Sequence, residues 1–181
     1  GTQLVVRGRD APEVEAQQPA PAIEIFQRFL KLKPSDSDAW SGLFMAQYGA
    51  GSPAEALATE RRMPAAVRGK LMKDPAFLRT LASAYSATGQ DAAAQRVLRS
   101  ALDLPFPANG AGLKAETQMQ YADLLQQANH MDQAAGLYRQ VVASDPGNAP
   151  AWEGVVRVDH AMNQDQQALQ TLQAMPPTVY E

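Results

Sequence analysis

This sequence repeats itself at long range, and that restricts its fold more than anything else in it. Shifted by 112 positions, Ala39, Trp40, Gly42, Ala56, Leu57, Thr59, Met63, Pro64 and Val67 fall on Ala151, Trp152, Gly154, Ala168, Leu169, Thr171, Met175, Pro176 and Val179. The same shift carries Ala22, Phe26 and Pro34 onto Ala134, Tyr138 and Pro146. A single register over so many positions marks a repeat protein, in which each unit buries its apolar face on its neighbours.

The apolar periodicity within the repeat is helical. Ile23, Phe26 and Leu30 form one stripe of a helix over 22–33, and Ile25, Phe29 and Leu32 widen it. Pro34 stops that helix, and residues 35–38 offer oxygens to cap the next, over 38–50. Ser52-Pro53-Ala54-Glu55 reads as a capping box with proline at the first helical position, opening a helix that ends at Arg62. A short helical connector is expected over 65–73. Asp74-Pro75 opens the next helix, Gly89 ends it, and 92–102 pairs back. Pro105, Pro107, Gly110 and Gly112 make 105–112 a loop. Two further hairpins follow, 114–128 with 132–144 and 149–162 with 165–175. Pro12, Pro19 and Pro21 set residues 1–21 apart as a leader or linker, with repeats over 22–181. A chain that opens at Gly1 rather than Met is expected to be an excised or processed fragment.

Composition excludes several function classes. Net charge is −3 with scattered Lys and Arg, against the basic stripe a nucleic-acid binder needs. Without cysteine there is no disulfide or thiol chemistry. No apolar run approaches the ~18–20 residues that span a bilayer as a helix.

The hairpins resemble the tetratricopeptide repeat. Leu81, Ala82, Tyr85, Gly89, Ala94, Leu98 and Ala101 match that pattern in order, as do Ala122, Ala134, Tyr138 and Pro146, then Trp152 and Ala168, and Trp40, Leu43, Gly51 and Ala56. Turn positions Gly51, Gly89, Asn129 and Asn163 are spaced 38, 40 and 34 apart, and only the last step equals the family's own period. The resemblance implies an all-α fold, a tetratricopeptide-type α-solenoid in which antiparallel helix pairs stack as a right-handed superhelix. More narrowly, Met-Pro-Ala-Ala-Val at 63–67, Asp-Pro-Ala-Phe-Leu at 74–78, Gly-Ala-Gly-Leu-Lys at 110–114 and Met-Pro-Pro-Thr-Val-Tyr at 175–180 look like the repeat region of the cellulose synthase operon protein C. That family joins a long periplasmic repeat region to an outer-membrane β-barrel that exports the polysaccharide. It implies a periplasmic, non-enzymatic scaffold whose partners are proteins of the cellulose machinery, with the glucan chain or peptidoglycan as further candidates. The alternative is a generic module that holds a peptide segment in its groove.

In tetratricopeptide proteins the first helix of each pair lines a concave surface. Carried over, that face holds Ser41, Met45 and Tyr48, then Arg79, Ser83 and Ser86, then Glu116, Met119, Asp123 and Gln126, then Glu153, Arg157 and His160. The lysine–asparagine clamp of chaperone-binding members is missing, since its positions hold Ser41 and Met45 or Arg79 and Ser83. Trp40 and Trp152 sit at the family's packing position, whereas Tyr48 is the candidate for stacking on a sugar. Glu116 and Asp123 lie seven apart on one helix face; a glycosidase pair is the sharp reading and a polar repeat face the expected one. His130 and His160 have neither the company nor the spacing of metal ligands. No cofactor, metal or catalytic group is expected. Residues 104–113, with Pro105, Pro107, Gly110 and Gly112, are expected to be a hinge where the superhelix changes direction.

Overall fold

The computed structural model describes residues 19–179; the leader expected over residues 1–18 lies outside them. Among the described residues are ten α-helices and no strand. They are α1 (Pro19–Leu32), α2 (Ser37–Gly49), α3 (Pro53–Arg62), α4 (Ala65–Leu71) and α5 (Pro75–Ala87). Then come α6 (Asp91–Leu102), α7 (Ala111–Gln127), α8 (Met131–Ser144), α9 (Ala149–Ala161), α10 (Asp165–Ala174) and a 3₁₀ turn, Pro177–Val179. Most helices pack mainly on their sequence neighbours, while α4 packs on α2, so the core is a string of clusters rather than one centre. That is how a solenoid distributes its stability.

Two kinds of connection build the array. The tight turns between α2 and α3, α5 and α6, α7 and α8, and α9 and α10 each place one residue at positive φ. These are Gly51 and Gly89 at 73°, Asn129 at 63° and Asn163 at 59°. Glycine and asparagine are the residues that tolerate this conformation at a helix C-terminus. The following N-cap then has ψ of 61° at Ser52, 52° at Gln90, 61° at His130 and 51° at Gln164, and none of the four makes a side-chain cap. The capping box expected at Ser52 and Glu55 is therefore not formed: the turn fixes a ψ that takes the serine oxygen away from the helix N–H groups. Where the N-cap is more extended, the cap forms. Asp36 accepts from Ala39 N, Asp74 from Ala76 N and Asn148 from Ala151 N.

Two helix starts differ from the sequence reading by three residues, the other boundaries by two or fewer. α1 begins at Pro19, not at residue 22, because prolines in a first turn lose no helical hydrogen bond. α7 begins at Ala111, so Gly112 belongs to a helix and the loop is 103–110. In that loop Gly110 is buried, its N–H donates to Pro107 O at 2.7 Å, and Leu104 packs on the α2–α5 cluster. α6 packs directly on α7, with Ala94 and Leu98 against Leu124 and Gln95 Nε2 donating to Leu124 O.

The 112-residue register holds in three dimensions. Trp40 Nε1 donates to Pro34 O at 2.7 Å, and Trp152 Nε1 donates to Pro146 O at 2.9 Å. Both indoles are half-buried and pin the loop before their own helix. A Cβ on Gly42 would collide with the Phe26 ring, and one on Gly154 would meet the Tyr138 ring at 2.6 Å. α3 and α10 both end in an extended residue, Met63 at φ −59°, ψ 138° and Met175 at φ −60°, ψ 133°.

Candidate functional site

Arg79, Ser83, Glu116, Met119 and Asp123 line one open groove of about 600 Å³ between α5 and α7. Helical geometry brings them together. Residues 79 and 83 are one turn apart on α5, and 116, 119 and 123 follow one face of α7. Arg79 Nη2 reaches Glu116 Oε2 at 3.3 Å across the groove floor. Gln120 Nε2 donates to Ser83 Oγ at 2.8 Å, a second tie between the two helices. Gln120 Oε1 and Arg79 Nε are buried there without a hydrogen-bond partner among the described residues. The far wall comes from the loop before α9 and its first turn, through Asp145, Asn148 and Pro150. The groove offers Glu116, Asp123 and Asp145 against Arg79, with Met119, Ala115 and Pro150 as apolar ground.

At the edge of the groove Asp123 joins a polar cluster. It accepts from the Tyr138 hydroxyl at 2.5 Å and lies 3.6 Å from Arg157 Nη2. Arg157 also donates to Gln126 Oε1 at 3.1 Å and to the Tyr138 oxygen at 3.3 Å. Burial, then the hydrogen bond to Asp123, pushes the Tyr138 phenol well above its ordinary range, and Arg157 opposes that only in part. The unfolded chain loses this proton near pH ~10, while the folded chain keeps it to higher pH. The fully protonated state below that pH is the stable one. Unfolding free energy is expected to fall as pH rises beyond ~10. Urea titrations at pH 8 and above 10 check this, and Tyr138→Phe should flatten the slope.

The remaining residues of the expected concave face do not line this groove. Met45 is 40 % exposed on α2, and Tyr48 is half-buried and packs against the α2–α5 core cluster. Ser86 donates to Asp91 Oδ1 at 2.9 Å and closes its own turn. Gln126 and Arg157 serve the Tyr138 cluster. Glu153 is exposed, and His160 Nδ1 lies 2.6 Å from Asp165 Oδ1 at an exposed turn. Glu116 and Asp123 each have their own cationic neighbour, Arg79 and Arg157. Among the described residues no group of three or more His, Cys, Asp or Glu could hold a metal ion.

Gln120 was open to sequence reasoning, because it lies four after Glu116 and three before Asp123. Asp145, Asn148 and Pro150 gave no such signal, since they reach the groove from the next unit. A buried carboxylate with an exposed partner was missed as well. Asp159, on α9, is fully buried and held by Arg139 of α8 at 2.5 Å.

Comparison with known proteins agrees with this architecture. A tetratricopeptide repeat family model matches residues 125–180. Cellulose synthase 1 operon protein C of Komagataeibacter xylinus is 29 % identical over 168 residues. That match covers 86 % of this chain but 12 % of the relative, so the chain spans about an eighth of that protein's length. Among solved structures, MamA superposes with a TM-score of 0.74 at 17 % identity, over 86 % of this chain and 85 % of that one. YrrB, described as a tetratricopeptide protein with an unusual peptide-binding site, gives 0.70 at 19 % identity, over 86 % and 75 %. These structural likenesses establish the fold: the described chain is an all-α solenoid of the tetratricopeptide type, and no enzyme family is indicated.

Proposed function

We propose that this chain is a non-enzymatic segment of a bacterial cellulose synthesis and export machinery, holding a protein of that machinery in its concave groove in the periplasm. The observation that carries the binding role is the groove itself. Five side chains from two helices converge on one open, polar-walled surface. The likeness to cellulose synthase 1 operon protein C supports the cellulose setting. The second reading, a module for peptides outside that machinery, rests on the same groove and on the likeness to YrrB. Residues 104–113 serve in this reading as the joint where the groove walls shift. Solution scattering that fits one rigid shape would contradict the joint.

Substitutions in the encoding gene test the proposal. Ser83→Arg together with Met119→Glu fills the groove and adds charge. Because Ser83 accepts from Gln120 and Met119 packs on the cores of α7–α9, the fold of the double variant is checked first by circular dichroism and melting. Secreted cellulose is expected to drop at least about tenfold, the loss of ~1.4 kcal/mol or more of binding, at unchanged protein level. Undiminished cellulose from a folded double variant would remove the proposal and leave the generic module in front.

A further inference from the structure

A second recess, of about 440 Å³, lies between α1, α2 and α3, away from the expected concave face. From α2 it takes Trp40, Leu43 and Gln47, whereas Ser41, Met45 and Tyr48 stand on a different side of that helix. Its polar floor is Gln47 and Thr59, 6 % and 3 % exposed. Thr59 Oγ1 donates to Gln47 Oε1 at 2.6 Å. That bond fixes the amide and leaves its N–H donors for a ligand. Lys31 and Arg62 line the recess from its exposed edge.

The second period of the chain shows which parts of this recess the fold requires. Trp40, Leu43 and Thr59 recur as Trp152, Val155 and Thr171, so the frame is kept. The cations are not: Lys31 and Arg62 correspond to Ala143 and Ala174. The helices therefore pack at these positions without charge. Gln27 and Gln47 correspond to Arg139 and Asp159, and there the second period closes an ion pair of its own. In the first period that pair is gone. Two cations line the recess and no carboxylate does, in a chain whose net charge is −3. Among the described residues neither Lys31 nor Arg62 makes an ion pair. Two like charges on one recess repel each other, and an acidic group between them removes that cost.

We propose that this recess is a second binding site, which takes an acidic segment of a partner protein. Its carboxylates meet Lys31 and Arg62, and its backbone meets the Gln47 amide. The recess suits a peptide better than a flat anionic surface. Its hydrogen-bonding floor is buried among Leu30, Leu43 and Trp40, which an inserted side chain reaches and a membrane plane does not. The site is separate from the α5–α7 groove and does not rest on the reading of that groove.

The test uses the full 181-residue chain in about 150 mM salt, where loose surface attraction is screened. The chain has two tryptophans, so their indole N–H signals in NMR report the recess and its second-period equivalent side by side. Trp152→Phe assigns the two signals. The probes are blocked peptides with a pair of glutamates at varied spacing beside a leucine, and the same peptides with glutamine are the controls. The Trp40 signal is expected to shift to saturation while that of Trp152 stays in place. Replacing glutamate by glutamine, or combining Lys31→Ala with Arg62→Ala, should each weaken binding about tenfold or more, as for loss of charge-assisted hydrogen bonds. The double variant copies the alanines of the second period, so it is expected to melt with the parent chain. Arg96→Ala with Lys114→Ala removes the same charge from exposed positions outside the recess and should change binding less than about twofold. Equal shifts of both indoles, equal losses from the two double variants, or no Trp40 shift with any peptide would overturn the proposal. Binding to phosphatidylglycerol vesicles that Lys31→Ala with Arg62→Ala abolishes, with no peptide bound, would overturn it too, because the cations would then serve a lipid surface.

Discussion

Gly154→Ala is expected to destabilise this protein, although alanine is the better helix former by ~1 kcal/mol. A methyl group at residue 154 would sit 2.6 Å from the Tyr138 ring. That ring is fully buried, and its hydroxyl is tied to Asp123, so it has nowhere to move. Overpacking of this kind costs about 1–3 kcal/mol. Two controls bracket the effect. Gly136 lies in α8 with nothing near its missing Cβ, so Gly136→Ala should stabilise by about 0.5–1 kcal/mol. Gly42→Ala meets Phe26 instead, but that ring is only half-buried and has no hydrogen bond to hold it, so the loss should be smaller than at Gly154. Chemical denaturation of the three variants ranks them.

Arg139→Gln is expected to cost more, about 3 kcal/mol, because it strands a buried carboxylate. Asp159 is fully buried, with Oδ1 on Arg139 and Oδ2 lacking a hydrogen-bond partner among the described residues. The protein itself supplies the rescue. At the positions 112 residues earlier stand Gln27 and Gln47, and buried Gln47 Oε1 accepts from Thr59 at 2.6 Å. Thr171 is the counterpart of Thr59. Adding Asp159→Gln to Arg139→Gln should therefore recover most of the loss, since both periods would then carry the same neutral pair. A double variant as unstable as Arg139→Gln alone would show that the two periods pack differently at this point.

The repeat was readable because its strongest signals are local. Gly51, Gly89, Asn129 and Asn163 are residues that a left-handed turn selects, and all four adopt it. Proline misled at Pro19, which opens α1 rather than preceding it. Serine and glutamate misled at 52 and 55, where the turn decides ψ before the side chain can act. For the groove, Arg79, Ser83, Glu116, Met119 and Asp123 follow from the concave face carried over from the tetratricopeptide resemblance. Asp145 and Asn148 do not, because only stacking brings that loop alongside α7. Tyr48 is half-buried against the α2–α5 cluster and lies outside the α5–α7 groove, a separation along the array that helix-face spacing does not give. The Arg139–Asp159 pair joins two helices at positions that each read as ordinary polar residues, and only tertiary packing reveals that one of them is buried.

A photo-crosslinking amino acid at position 119, in cells that make cellulose, would probe the groove in place. Met119 lies on the groove floor, and Glu55 is exposed on α3, the second helix of its pair, so the same probe at residue 55 is the control. The groove reading gives a discrete crosslink from position 119 to an envelope protein of the cellulose machinery, lost with Ser83→Arg and absent from position 55. Equal labelling from both positions, or none from position 119 while cellulose is being exported, would contradict it.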